Sequence, residues 1–376
     1  MPMAHTGRRL NRLMLFVLAA SLLASCMSSG SGSRLTGAPR GVVVDRGGAV
    51  EILDDTTTGT VRHVTGDDLG GTAMAGDPLA LIDIRQLDAN TIAGIRGGRL
   101  LALNPEHPEK PRVIAPASTW FPDSQLTGGW TVTESLDQPA CPGIGGTTAG
   151  TIRYRLERRS LASGTVISAA RALPCRMRPI ADLRSGLVVS VFQDRVIGKG
   201  HGGVVPADIQ LVSPATFQPV RTVLTEAVVL QAAGNTVIAA KDDCRSGNCA
   251  VAVGMDNTDR AVLKSPADGG SFAGSGLLDP TGRYYAAAWI SNGSTTLLVC
   301  DLREGTYHVL GPYFALTPGA PSSLPDDMPS VWSGSRLLIV DPSKGTLTAY
   351  DAKAGATSTR ADLTTTGTLQ VWGAGR

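Results

Sequence analysis

The chain has 376 residues, 42% of them hydrophobic and 5% aromatic, with 45 Gly and 23 Pro. That apolar content excludes wholesale disorder, and so many glycines and prolines favour frequent turns over long helices. A formal net charge of +2 supplies no basic stripe for nucleic acid, so that class of partner is not expected.

In chain order, the first feature is a targeting segment. Arg8, Arg9 and Arg12 make a positive start, and Leu13 to Leu23 is an apolar run too short to span a bilayer comfortably. Leu23-Ala-Ser-Cys26 then resembles the lipobox of bacterial lipoprotein signal peptides. The resemblance implies cleavage before Cys26, acylation of Cys26, and residence on the extracytoplasmic side of the cell membrane. An uncleaved anchor or an ordinary secretory signal is the competing reading. On the lipoprotein reading, residues 1–25 are signal, 26–37 a flexible Ser/Gly tether, and 38–376 the folded domain. The 34 basic residues, less Arg8, Arg9 and Arg12, come to 31 against 32 acidic ones. The membrane link therefore falls to the lipid and not to a polybasic patch.

Beyond residue 35 no segment keeps a helical period for three turns. Val42-Val-Val-Asp45, a turn carrying Gly47 and Gly48, and Ala49 to Asp54 read as strand, turn, strand. The same form returns at Arg336 to Asp351, where Leu337 to Val340 meets Asp341-Pro-Ser-Lys-Gly345 and then Thr346 to Tyr350. With the polar residue that closes each such strand as a ruler, seven copies are found. Their anchors are Asp54, Asn104, Glu157, Ser213, Asp256, Asp301 and Asp351, spaced 43 to 56 residues apart. Four-stranded repeats of this length predict an all-β fold, a single seven-bladed β-propeller, with loose third and fourth boundaries leaving six or eight blades open. The first copy supplies three strands, and Thr368 to Trp372 is expected to add the fourth and close the ring. An open sandwich or a pair of barrels is the alternative.

Two segments carry a family resemblance. Leu338 to Asp362 resembles the repeats of bacterial quinoprotein-like and YVTN-type propellers. Leu278-Asp-Pro-Thr-Gly-Arg-Tyr-Tyr-Ala-Ala-Ala-Trp289 resembles the strand entry of WD40-like and TolB-type propellers. Both imply architecture and leave function open.

In propeller geometry the loop joining a blade's second and third strands shares one face with the link to the next blade. That loop is enlarged in three consecutive copies: Ser135 to Gly150, Gln193 to Ala207 and Lys241 to Cys249. Long loops on a rigid scaffold are where binding tends to sit. His201, Asp242, Asp243, Arg245 and Asn248 are the candidate contact residues there. Exported proteins keep disulfides, and bridges are expected for Cys141 with Cys175 and Cys244 with Cys249. Cys300, inside the apolar strand Leu297 to Cys300, reads as a small buried residue.

Sharper chemistry finds little support. Gly198-Lys-Gly-His-Gly-Gly203 matches a dinucleotide pattern, but Val204-Val-Pro206 follows where a helix would have to begin. The run around Asp242 and Asp243 breaks the oxygen alternation of a calcium loop at Cys244 and Arg245. The cysteine spacing is not that of a zinc site. Trp120, Trp130, Trp289 and Trp332 suit packing between blades or stacking on sugars. No H-E-x-x-H, G-x-S-x-G or phosphate loop is present. The expectation is a monomeric binding or scaffolding module for a protein or cell-envelope polymer, with no catalytic residues, metal or cofactor. A hydrolase acting on glycan or peptide, or a degenerate quinoprotein, is the competing class.

Overall fold

The computed structural model describes residues 41–45, 49–54, 60–65, 82–88, 91–104, 107–134, 141–143, 152–193, 207–241, 250–256, 260–314, 330–341, 346–361 and 370–373. All of the described elements are strands, and all of the pairings are antiparallel. The first sheet takes β1 (Gly41–Asp45), β2 (Ala49–Asp54), β3 (Thr60–Thr65) and β27 (Gln370–Gly373), in the order β27-β1-β2-β3. The second runs β4 (Ile82–Asp88), β5 (Thr91–Arg96), β6 (Arg99–Asn104), β7 (His107–Pro116). The third runs β8 (Thr119–Pro122), β9 (Gly128–Glu134), β10 (Tyr154–Ser160), β11 (Val166–Ala172).

The fourth sheet has seven strands: β12 (Met177–Leu183), β13 (Gly186–Phe192), β14 (Ala207–Val212), β15 (Pro219–Ala233), β16 (Thr236–Lys241), β17 (Ala250–Gly254) and β18 (Arg260–Val262). The fifth contains β19 (Ser271–Leu278), β20 (Tyr284–Ser291), β21 (Ser294–Asp301) and β22 (Thr306–Phe314), and the sixth β23 (Ser330–Ser333), β24 (Arg336–Asp341), β25 (Thr346–Asp351) and β26 (Ala356–Ala361).

The result is a propeller-like array. The leading strands of the sheets are neighbours in turn: β27 lies against β23 and β4, β12 against β8 and β15, and β19 against β15 and β23. Most of the core clusters lie between sheets, and one lies between the two halves of the fourth sheet. Trp130, Val132 and Leu156 of the third sheet meet Met177, Leu187 and Val189 of the fourth. Tyr284, Ala286 and Ala288 of β20 face the sixth sheet, while Tyr285 and Ala287 face the fourth. A strand covered on both faces has no polar side to show, which is why second strands such as β20 and β24 read as apolar runs. The large apolar residues left exposed include Val113, Val166, Ile167, Val220, Val262 and Val309, all on outermost strands.

Two expectations are corrected by the pairing. Seven separate four-stranded sheets were expected, and the described residues form six. β15 is one continuous strand that pairs with β14 through its first half and with β16 through its second; Ala227 faces Ala207 on one side and Lys241 on the other. No loop separates the two units there, so their ladders merge. The third anchor also moves from Glu157 to Ser160, because Glu157 lies inside β10 and the turn opens three residues later.

The turns after the third strands repeat closely. Gly164 N donates to Ser160 O, Gly305 N to Asp301 O and Gly355 N to Asp351 O. The three glycines are left-handed, at φ 74°, 62° and 65°, a conformation that costs other residues about 1–2 kcal/mol. Asp301 Oδ1 accepts the Arg303 and Glu304 amides, and Asp351 Oδ1 those of Lys353 and Ala354. An arginine at the entry to the second strand pairs with the carboxylate ending the third, Arg283 with Asp301 and Arg336 with Asp351. This is the physical content of the sequence ruler at Asp301 and Asp351, where the anchor caps its turn. As expected, the C-terminal strand joins the first sheet, with Val43 opposite Trp372 and Val44 opposite Val371.

Candidate functional site

Connections between second and third strands differ sharply around the array. They are short at residues 46–48, 97–98, 292–293 and 342–345, but long at 135–153, 193–206 and 242–249. The long connections therefore belong to consecutive units and emerge at one end. The opposite end carries the short, capped turns.

A covalent tie and two backbone outliers lie at the long-loop end. Cys141 is bridged to Cys175, joining the long loop of the third sheet to the link that enters β12. That link is also held by backbone bonds. Leu173 N donates to Tyr154 O at 2.8 Å, and Phe192 N donates to Arg176 O at 3.0 Å. Arg176 sits at φ 69°, unusual for a residue with a side chain. Tyr154, whose carbonyl takes the Leu173 amide, is raised above the ordinary phenol range by burial, with Arg178 pulling down and Glu134 pushing up. These three side chains therefore share one neighbourhood.

The base of the next loop is closed by a side-chain bond. Gln193 Nε2 donates to Asp208 Oδ1 at 2.7 Å, so the first residue beyond one stem holds the second residue of the other. The same oxygen accepts the Glu226 amide at 3.3 Å. Glu226 is the second outlier, at φ 52°, where β15 bends between its two partners. Sequence reasoning placed Gln193 at the loop's edge, but missed Asp208, Glu226 and Arg176 as supports. No local signal marks them, because their partners come from other strands.

Of the residues expected to act, Cys141 and Cys175 are brought together as a bridge. Cys26, His201, Asp242, Asp243, Cys244, Arg245, Asn248 and Cys249 lie outside the described residues. Cys300 is a buried free thiol, pushed up to about 12 by burial. Trp120, Trp130, Trp289 and Trp332 are each at most 4% exposed, so they are packing residues and not a sugar-stacking platform. Trp130 Nε1 donates to Asp182 at 2.7 Å across two sheets, and Trp332 Nε1 to Leu277 O at 2.9 Å. Among the described residues no group of three His, Cys, Asp or Glu is placed to hold a metal ion.

No family model matches the chain, and no curated protein matches its sequence. Among solved structures it is similar to an acylaminoacyl peptidase from Pyrococcus horikoshii, at 12% identity and a TM-score of 0.49. That match covers 82% of this chain and 50% of the peptidase. It is similar to TolB from Acinetobacter baumannii at 13% identity and TM-score 0.40, over 77% of this chain and 64% of TolB. It is also similar to apo AztD from Citrobacter koseri at 10% identity and TM-score 0.41, over 88% and 97% of the two chains. These are likenesses of chain path, and no residue's role follows from them.

Proposed function

We propose that this protein is a lipid-anchored, extracytoplasmic β-propeller of seven blades that binds a protein or a cell-envelope polymer through the long loops of its third to fifth blades. The blade count rests on dividing the seven-stranded sheet at Ala227, so that β15 serves as the outer strand of one blade and the inner strand of the next. The anchor rests on Leu23-Ala-Ser-Cys26 behind a basic, apolar leader, with Cys26 carrying the lipid. No cofactor enters this reading, and the protein acts as a monomer.

One observation carries the binding role. Long loops are confined to three consecutive units at one end, where the Cys141–Cys175 bridge and the Gln193–Asp208 bond stiffen their bases. Loops held in place lose less freedom on association, so more of the contact energy appears as affinity.

The test is capture from detergent-solubilised membranes by the mature chain, compared with a variant whose residues 195–205 are replaced by a short Gly-Ser turn. A partner should be retained by the wild type and lost by the variant, with the melting temperature unchanged. Equal capture by both would remove the loop face from the account. Separately, Cys26→Ser should leave the protein unprocessed or release it from the membrane fraction; correct processing with full membrane retention would overturn the anchor.

A further inference from the structure

Three arginines on outermost strands reach across to the unit that follows. Arg112 on β7 donates from Nη2 to the Leu161 carbonyl at 3.1 Å. Arg171 on β11 donates to the carbonyls of Ala215 and Thr216. Arg221 on β15 donates to the carbonyl of Met255. The geometry is the same each time. The donor sits on the fourth strand of one unit, and the acceptor lies in the turn between third and fourth strands of the next.

The acceptors need such a donor. In these turns the first carbonyl is taken by the closing amide, as Ser160 O is by Gly164 and Ser213 O by Phe217. Among the described residues, the Leu161, Ala215 and Thr216 carbonyls that follow are met by a guanidinium, whose bonds are charge-assisted. Its planar fork can serve two carbonyls at once, as Arg171 does, where a lysine would offer a single mobile charge. Apolar packing points the same way. Leu161, Phe217 and Met255, from the three clamped turns, are buried in the cores shared with the preceding units. Each turn is thus held by an apolar plug below and an arginine above.

The junctions beyond use other means. Between the fifth and sixth units the turns approach backbone to backbone, so that a Cβ on Gly234 would collide with the Thr281 carbonyl. Between the sixth and seventh, Trp332 donates to Leu277 O.

We infer that Arg112, Arg171 and Arg221 are inter-unit clamps that lock the second to fifth units, which include those carrying the three long connections, into one body. The clamps stand on their own contacts; only their bearing on a binding face rests on the function proposed above. Their purpose in that setting is positional. A surface shared by three units keeps its shape only if the units cannot rock against one another.

Hydrogen exchange on the mature chain tests this without a ligand. In Arg171→Ala, amides in 213–218 should exchange on the order of tenfold faster, the factor for losing about one hydrogen bond from a charged donor, while 301–305 keeps its wild-type rate. In Arg221→Ala the increase should move to Met255 and Asp256. Arg171→Lys should give an intermediate rate at 213–218, and serves the same comparison if the alanine variant does not fold. Unchanged exchange at 213–218 would overturn the clamp. So would an equal increase at 213–218 and 301–305, which would mean general loosening. Loss of partner capture by the 195–205 loop variant, with wild-type exchange at 213–218, would leave the clamp standing and bear on the loop face alone.

Discussion

The guanidinium of Arg171 lies 5.2 Å from the centroid of the Phe217 ring, an arginine of one sheet covering an aromatic of the next. Phe217 has φ 57° and occupies the position that glycine holds in the corresponding turns at Gly164, Gly305 and Gly355. Its amide closes the turn to Ser213 O as theirs do. The other turns separate the two tasks, with glycine taking the left-handed backbone and Leu161, Leu302 or Ala352 packing against the neighbour. Here one residue does both, since Pro214 follows the anchor. Burial decides the balance: the left-handed backbone costs about 1–2 kcal/mol, and a buried Phe returns roughly 2–3.

Phe217→Gly should therefore destabilise the protein, although it relieves the backbone. Removing the ring costs about 3–5 kcal/mol, and recovering about 1–2 from strain leaves a net loss of roughly 2–3. Gly355→Ala isolates the backbone term, because an added Cβ there meets nothing within 4 Å. It should cost only about 1–2 kcal/mol. Urea unfolding of both variants measures the difference, and wild-type stability in Phe217→Gly would show that packing does not hold this turn.

The bridge offers a second measurement. Cys141 and Cys175 are 34 residues apart, and closing a loop of that length should stabilise the fold by about 3–4 kcal/mol on the chain-entropy account. Cys141→Ser with Cys175→Ser should lower the unfolding midpoint accordingly. Cys300, buried and raised to about 12, should resist alkylation near pH 8 in the native protein and react once denatured. Intact mass before and after denaturation reads that directly; rapid native labelling of Cys300 would contradict its burial.

Acid should weaken the fifth sheet through Asp301. Burial pushes its carboxyl up, but bonds from Arg283 and from the Glu304 and Arg303 amides outweigh it and hold the group below the ordinary range. A group lowered on folding contributes stability above its unfolded value, and that contribution is lost as pH falls through the folded one. Asp301→Asn should thus cost stability near about pH 7, and that cost should shrink as pH falls through the folded value of the wild-type carboxyl. A cost independent of pH would mean that shape, not charge, matters at this cap.

Truncation tests closure. β27 is the only described strand outside the first ninety residues that pairs in the first sheet, and it lies against both β23 and β4. Deleting residues 368–376 should expose the β1 edge and lower the melting temperature of the whole fold. A truncated protein as stable as the full chain would point to an open array.

Much of this architecture is legible locally. Strands covered on both faces become apolar runs such as Leu337 to Val340, and capped turns need Asp or Ser with a following Gly, as in Asp351 to Gly355. Those signals lie within a few residues, so sequence alone determined the repeat, the all-β class and the returning C-terminal strand. The loop that carries Cys141 was legible for the same reason, since it interrupts an otherwise regular spacing. What the tertiary structure decided are relations between distant residues. Arg171 meets Ala215 at a separation of 44, Trp130 meets Asp182 at 52, and no neighbouring residue announces either. The merging of two units through β15 was equally hidden, because an unbroken strand and a strand–link–strand share the same apolar pattern. Which of two ladders each half of β15 joins is set by the sheets on either side, and that choice exists only once the array is assembled.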